Sequence, residues 1–91
     1  MATATRTDLA TKVERLLREA LGNKADRTMF IPTVLPGDKV HMVVISEALN
    51  GLTARQRQTL LWAPLKKTLD REELQRVSAV VAFGTEAFAP A

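Results

Sequence analysis

The first regular pattern along the chain is helical. From Asp8, the apolar residues Leu9, Val13, Leu16, Leu17, Ala20 and Leu21 recur at three- and four-residue steps, which puts them on one stripe of a helix over 8–21. Thr7 or Asp8 supplies a first-turn cap, and Gly22 stands where a left-handed terminating residue is wanted. Glu14 with Arg18 and Arg15 with Glu19 are four apart on the outer face, so this helix covers a core and turns paired charges to water. Residues 1–7 carry nothing to bury and read as a flexible tail.

Beyond Gly22 the pattern becomes that of strands. Arg27 to Leu35 (RTMFIPTVL) is apolar and β-branched, and Pro32 within it suits an edge strand or a bulge because proline gives no donor to a ladder. Leu35-Pro36-Gly37-Asp38 has the proline–glycine order of a type II turn. Lys39 to Ser46 (KVHMVVIS) reads as a more central strand, with Val40, Met42 and Val44 on one face and His41, Val43 and Ile45 on the other. Two strands joined by a short turn make a hairpin.

Thr53 and Gln56 form a capping-box pair ahead of a second helix over 53–69. Ala54, Leu61, Leu65 and Leu69 share one stripe of it with Trp62 at the edge, and Pro64 removes the bond to the Leu60 carbonyl, which predicts a bend or break there. Asp70 with Glu73 repeats the capping pattern and opens a short helix over 70–75. Val77 to Phe83 (VSAVVAF) is a third strand, and the segment GTEAFAPA after it is loosely determined. The order α-β-β-α-α-β gives an α+β fold: a three-stranded mixed sheet covered by helices on one face, its last strand parallel through a right-handed crossover. A single domain over 8–88 is expected.

Composition narrows the chemistry. A chain of 91 residues holds one core, and 46% hydrophobic with 25% charged residues belongs to a folded domain. The absence of cysteine excludes disulfides, thiolate nucleophiles and thiolate ligands, and fits a reducing cytoplasm. No apolar run reaches the roughly 18 residues of a membrane span, so a cytoplasmic chain without membrane contact is expected. Thirteen basic against ten acidic residues give +3, a weak pull towards polyanions.

The run VVISEALNGLTARQRQTLLWAPLKKTL resembles the BolA-like family, through Ser46, Gly51, Leu52, Thr53, Arg57, Leu65 and Lys66. KVERLLREALG is similar to that family's first helix, and the likeness spans 11–88. The resemblance implies a fold like class II KH domains, a monothiol glutaredoxin as protein partner, a 2Fe-2S cluster shared with it, and in some members transcription regulation. The histidine of the family's last strand corresponds to Ser78, and the one at the start of its second strand to Lys39. Neither a hydroxyl nor an ammonium substitutes for a neutral imidazole on iron, so no cofactor is expected.

His41, two residues past the family position, is the one candidate metal ligand, and a lone imidazole lacks the convergent donors a metal site needs. Arg55, Arg57, Lys66 and Lys67 are the candidate nucleic-acid residues. At about 100° per residue Arg55 and Lys66 share a flank, Lys67 lies on the far side and Arg57 on the opposite shoulder, less aligned than a phosphate-tracking stripe. Arg57 alternatively anchors a carboxylate or helix end. The four glycines include no G-x-x-G pair to clamp a nucleic-acid backbone. Ser46 and Ser78 have no base partner pattern, so no enzyme activity is expected. Two functions remain: a non-catalytic adaptor module docking a protein, with a monothiol glutaredoxin as candidate, or a DNA-binding regulator using the basic helix 53–69.

Overall fold

The computed structural model describes residues 6–88. Helix α1 (Arg6–Leu21) runs into a 3-10 turn (Gly22–Arg27), then strands β1 (Thr28–Leu35) and β2 (Lys39–Ser46). A 3-10 turn (Glu47–Leu49) leads to α2 (Ala54–Thr68) and α3 (Arg71–Arg76), and β3 (Val77–Phe83) and a last 3-10 turn (Thr85–Phe88) follow. The α-β-β-α-α-β order is the expected one. Arg6 and Thr7, assigned to the tail from sequence, belong to α1, so Thr7 and Asp8 lie inside its first turn and not ahead of it. The remainder of that expected tail, 1–5, lies outside the described residues.

The sheet order is β1-β2-β3, with β2 antiparallel to β1 and parallel to β3. Pro32 falls on the edge strand, opposite Met42 in a register that runs through it without a bulge. Gly37 takes the positive φ (+82°) that a type II turn asks of it. Asp38 is left-handed as well (φ +60°), a conformation its short polar side chain tolerates.

Alternation along β2 builds the core. Val40, Met42 and Val44 are fully buried, and they meet Leu9, Val13, Leu16 and Leu17 of α1, Leu61 and Leu65 of α2, and Val77 and Val80 of β3. Leu69 joins the same cluster, and Trp62 packs half-buried at its margin. Arg18 lays its guanidinium 4.6 Å from the centre of the Phe30 ring and closes on Glu14 at 2.9 Å, so α1 shields the core edge at β1. Ala54, placed on the apolar stripe from sequence, is exposed in the first turn of α2.

Two expectations from sequence need correction in part. The break at Pro64 is not found, since α2 continues through it. Leu61, Leu65 and Leu69 fasten both sides of the proline to one core, and Leu60, whose carbonyl loses the proline's missing donor, lies on the exposed flank. The described part of the segment after β3, 84–88, is also not loose, and its remainder, 89–91, lies outside the described residues. Thr85 and Glu86 are tied to the loop that leads into α2, as detailed below. Among the described residues no helix is long and apolar enough to cross a membrane.

The α3 terminus connects to α1. Asp70 caps it, accepting from the Glu73 N–H at 2.8 Å, while the Glu73 carboxylate accepts from the Asp70 N–H at 3.1 Å and from Lys12 Nζ at 2.8 Å. The Lys12 hydrogen bond, with the Asp70 amide second, holds the Glu73 carboxyl below its ordinary 4.5. A lowered carboxyl favours the folded state above its ordinary value, and that contribution is lost as pH falls through the lowered one. Glu73→Gln should therefore flatten the acid limb of a stability-versus-pH curve from chemical denaturation and leave its neutral plateau little changed, since half-exposed pairs contribute about 0–1 kcal/mol. Leu65→Ala should lower unfolding free energy by about 2–5 kcal/mol, measured by urea titration.

Candidate functional site

The corner between β2 and α2 holds most of the residues that carried the resemblance, and each has a structural task there. Ser46 is fully buried. Its Oγ accepts from the Ala48 N–H at 3.1 Å and lies 2.7 Å from Thr28 Oγ1, which donates to the Lys24 carbonyl at 2.8 Å. Because the Thr28 proton is committed to that carbonyl, the Ser46 hydroxyl donates to Thr28. Gly51 takes φ +79°, and Thr53 closes its capping box with Gln56 through bonds of 3.1 and 2.9 Å.

Arg57 is an anchor. Its Nε donates to the Leu49 carbonyl at 3.0 Å and its Nη2 to Glu86 Oε1 at 2.6 Å, leaving the side chain 17% exposed. The same Glu86 oxygen accepts the Gly51 N–H at 3.3 Å. Asn50 completes the strap, donating to Thr85 Oγ1 at 2.9 Å and accepting from the Glu86 N–H at 3.3 Å. Gly84 is buried beneath it, and a Cβ there would collide with Asn50 Oδ1.

The surface left over lies along α2. Leu52, Arg55, Gln56, Thr59 and Leu60 line a shallow, mostly apolar groove of about 440 Å³. Gln58, Thr59, Trp62 and Lys66 line a second of about 340 Å³, and Thr59 belongs to both. Trp62 is held in place by its indole N–H, which donates to Gln58 Oε1 at 2.9 Å, while Gln58 Nε2 donates to the Val80 carbonyl of β3 at 2.8 Å. Arg55 thus lines the groove that holds the exposed Leu60, and Lys66 the one that holds the half-exposed Trp62, while Leu60 and Trp62 themselves point to different sides of the helix. Lys67 is exposed but lines neither groove, and Arg57 is withdrawn from the surface.

At the far end of the sheet, Lys39 is exposed at the start of β2 and Ser78 is exposed in β3. Ser78 is an extra residue in the parallel ladder, since Val40 pairs with Val77 and His41 with Ala79. His41 is half-buried, between Thr33 and Ala79 on the neighbouring strands. The residues around this imidazole offer a hydroxyl and an ammonium, and no group of three or more His, Cys, Asp or Glu side chains gathers among the described residues.

Sequence reasoning missed Leu60 and the strap. Leu60-Leu61-Trp62 is one apolar residue more than a single helix stripe can bury, and that excess was the available signal. Glu86 has no local signal, because its partners are 29 to 36 positions away. Arg57→Ala takes one donor from the Leu49 carbonyl and the counter-charge from Glu86, leaving each only a longer bond from Leu52 or Gly51, and should cost about 1–3 kcal/mol in denaturant unfolding. Lys66→Ala, on the open flank, should stay within about 0.5 kcal/mol of wild type.

No model of a known protein family matches this chain, and no curated protein matches it either.

Proposed function

We propose that the chain is a non-catalytic protein-interaction module of the BolA-like type it resembles, docking a protein partner along the outer flank of α2. The observation that carries this reading is a pair of grooves on α2 that meet at Thr59, one placing Leu52 and Leu60 beside Arg55, the other placing Trp62 beside Lys66. Apolar area with a cation beside it in each groove suits a protein surface bearing aliphatic and acidic side chains. The resemblance names a monothiol glutaredoxin as the candidate partner. Shared cluster binding is not part of the proposal, because Lys39 and Ser78 stand where the family's imidazoles would be.

The alternative, a DNA-binding regulator, is less well supported. Arg57 is occupied by Leu49 and Glu86, and the remaining cations Arg55 and Lys66 stand three helical turns apart in different grooves, too few and too far apart to follow a phosphate backbone. One titration series compares the two. With a monothiol glutaredoxin, saturable binding is expected by calorimetry, weakened at least about tenfold by Leu60→Asp, equivalent to ~1.4 kcal/mol. Glutaredoxin binding that is absent, or indifferent to Leu60→Asp, would sink the docking reading. Binding to duplex DNA whose log affinity falls with log salt, and which Arg55→Ala and Lys66→Ala abolish, would install the alternative.

A further inference from the structure

The helices cover one face of the sheet and leave the other open, with Met29 58% and Ile31 41% exposed on it. The two edges of the sheet differ. On β1, Pro32 stands within the strand and has no N–H to offer a neighbour. β3 is bonded on one side only, to β2, and VSAVVAF holds neither proline nor charge, the common means of blunting an edge. Beyond the extra residue at Ser78, it keeps a regular register from Ala79 to Phe83.

Gln58 shows which way the main chain of this edge faces. Its Nε2 donates to the Val80 carbonyl at 2.8 Å, and a side chain from α2 reaches that oxygen only if it points away from the β2 ladder. Main-chain groups alternate along a strand, so the Val80 N–H and both main-chain groups of Ala82 face the same open side. Gln58 takes one lone pair of the Val80 oxygen and leaves the second. Among the described residues, no backbone group outside β2 bonds to this stretch. Trp62 stands beside the edge, because its indole N–H donates to the same Gln58 side chain, and Lys66 lines the groove with them. α2 contains no acidic residue, and Lys66 is in no ion pair among the described residues. The carboxylates of α3 are engaged, Glu72 by Arg76 and Glu73 by Lys12.

We propose that β3 takes an extended, acidic segment of a partner protein as a fourth strand, laid between its open edge and α2. This rests on the docking reading and names what fills the Trp62 groove. The exposed main chain sets the occupant's class. Alternating N–H and C=O groups in the plane of a sheet are answered by another extended main chain. The side chains on α2 set its chemistry. Trp62 and Lys66 are one helical turn, about 6 Å, apart, and same-face residues of a strand are about 6.7 Å apart. An aliphatic residue against the indole therefore places an acidic residue two positions away at the Lys66 ammonium. The residues between them turn to the other side and extend the open face beside Val81.

Trp62 is the only tryptophan of the chain, so its emission reports on this groove. The probe is a capped seven-residue peptide with valine at its centre, glutamate at its second and sixth positions and threonine elsewhere, which serves either strand direction. Titration should give a saturable change in Trp62 emission, and Lys66→Glu should weaken binding at least about tenfold. Methylating the peptide's main-chain nitrogens one at a time separates strand addition from side-chain docking. Alternate positions should lose at least about tenfold, and those between should stay within about twofold. Ala82→Pro, which removes an N–H that β2 does not use, should weaken binding likewise; the methylated peptides require no variant to fold. Leu60→Asp, in the other groove, should leave peptide affinity unchanged, so this test and the glutaredoxin test fail separately. Absence of a saturable change overturns the proposal, as does binding indifferent to which nitrogen carries the methyl. Self-association of the wild-type chain that Ala82→Pro abolishes, seen by sedimentation equilibrium, also overturns it, because a second copy then fills the edge.

Discussion

β2 is hydrogen-bonded on both sides and shut off from water on one face, where Val40, Met42 and Val44 have no exposed surface. Every other element is placed by what it contributes to that face. α1 brings five apolar side chains of one stripe, α2 brings Leu61 and Leu65, and β3 arrives in parallel with Val77 and Val80. The hydrophobic contribution of a fully buried aliphatic side chain, about 1.5–3 kcal/mol, exceeds that of any surface charge pair in the molecule. This is why α2 tolerates an internal proline: the stripe on either side of Pro64 is held by the same core.

The polar corner between β2 and α2 is the second organising feature. Buried strand ends leave backbone groups that need partners, and here side chains supply them. The Ser46 and Thr28 hydroxyls pass hydrogen bonds in one direction from the Ala48 amide to the Lys24 carbonyl. Arg57 reaches back to the Leu49 carbonyl, and Glu86 supplies its counter-charge. Ser46, Gly51, Thr53 and Arg57 are needed for this corner whatever the molecule binds. The same residues carried the sequence likeness, so the likeness speaks first to construction and only secondarily to chemistry.

Elements governed by local pattern were legible in the sequence. The three strands, both capping boxes and the inward face of β2 follow from spacing alone, since capping and alternation act over two to four residues. The edge position of Pro32 was legible for the same reason, because a missing donor is a property of the residue itself. The strap was not legible, because Asn50, Gly51 and Arg57 find Thr85 and Glu86 only after β3 is in place. The open face was hidden differently. VSAVVAF and KVHMVVIS are apolar on both sides, as fully covered strands are, yet two main helices can roof only one side. Counting covering elements against apolar faces would have exposed the surplus. Among the basic residues, spacing put Arg55 and Lys66 on one flank but could not tell that Arg57 faces inward to a carbonyl.

The parallel pairing of β2 with β3 has a kinetic side. The β1–β2 hairpin closes across three residues and is available almost at once, whereas β3 must wait until a connection of some thirty residues has folded back. Until then β2 has one unsatisfied edge and Arg57 has no carboxylate to meet. Acquisition of β3 and locking of the α2 entrance are therefore tied to the same long-range closure, because the second edge of β2 and the carboxylate of Glu86 arrive on one stretch of chain.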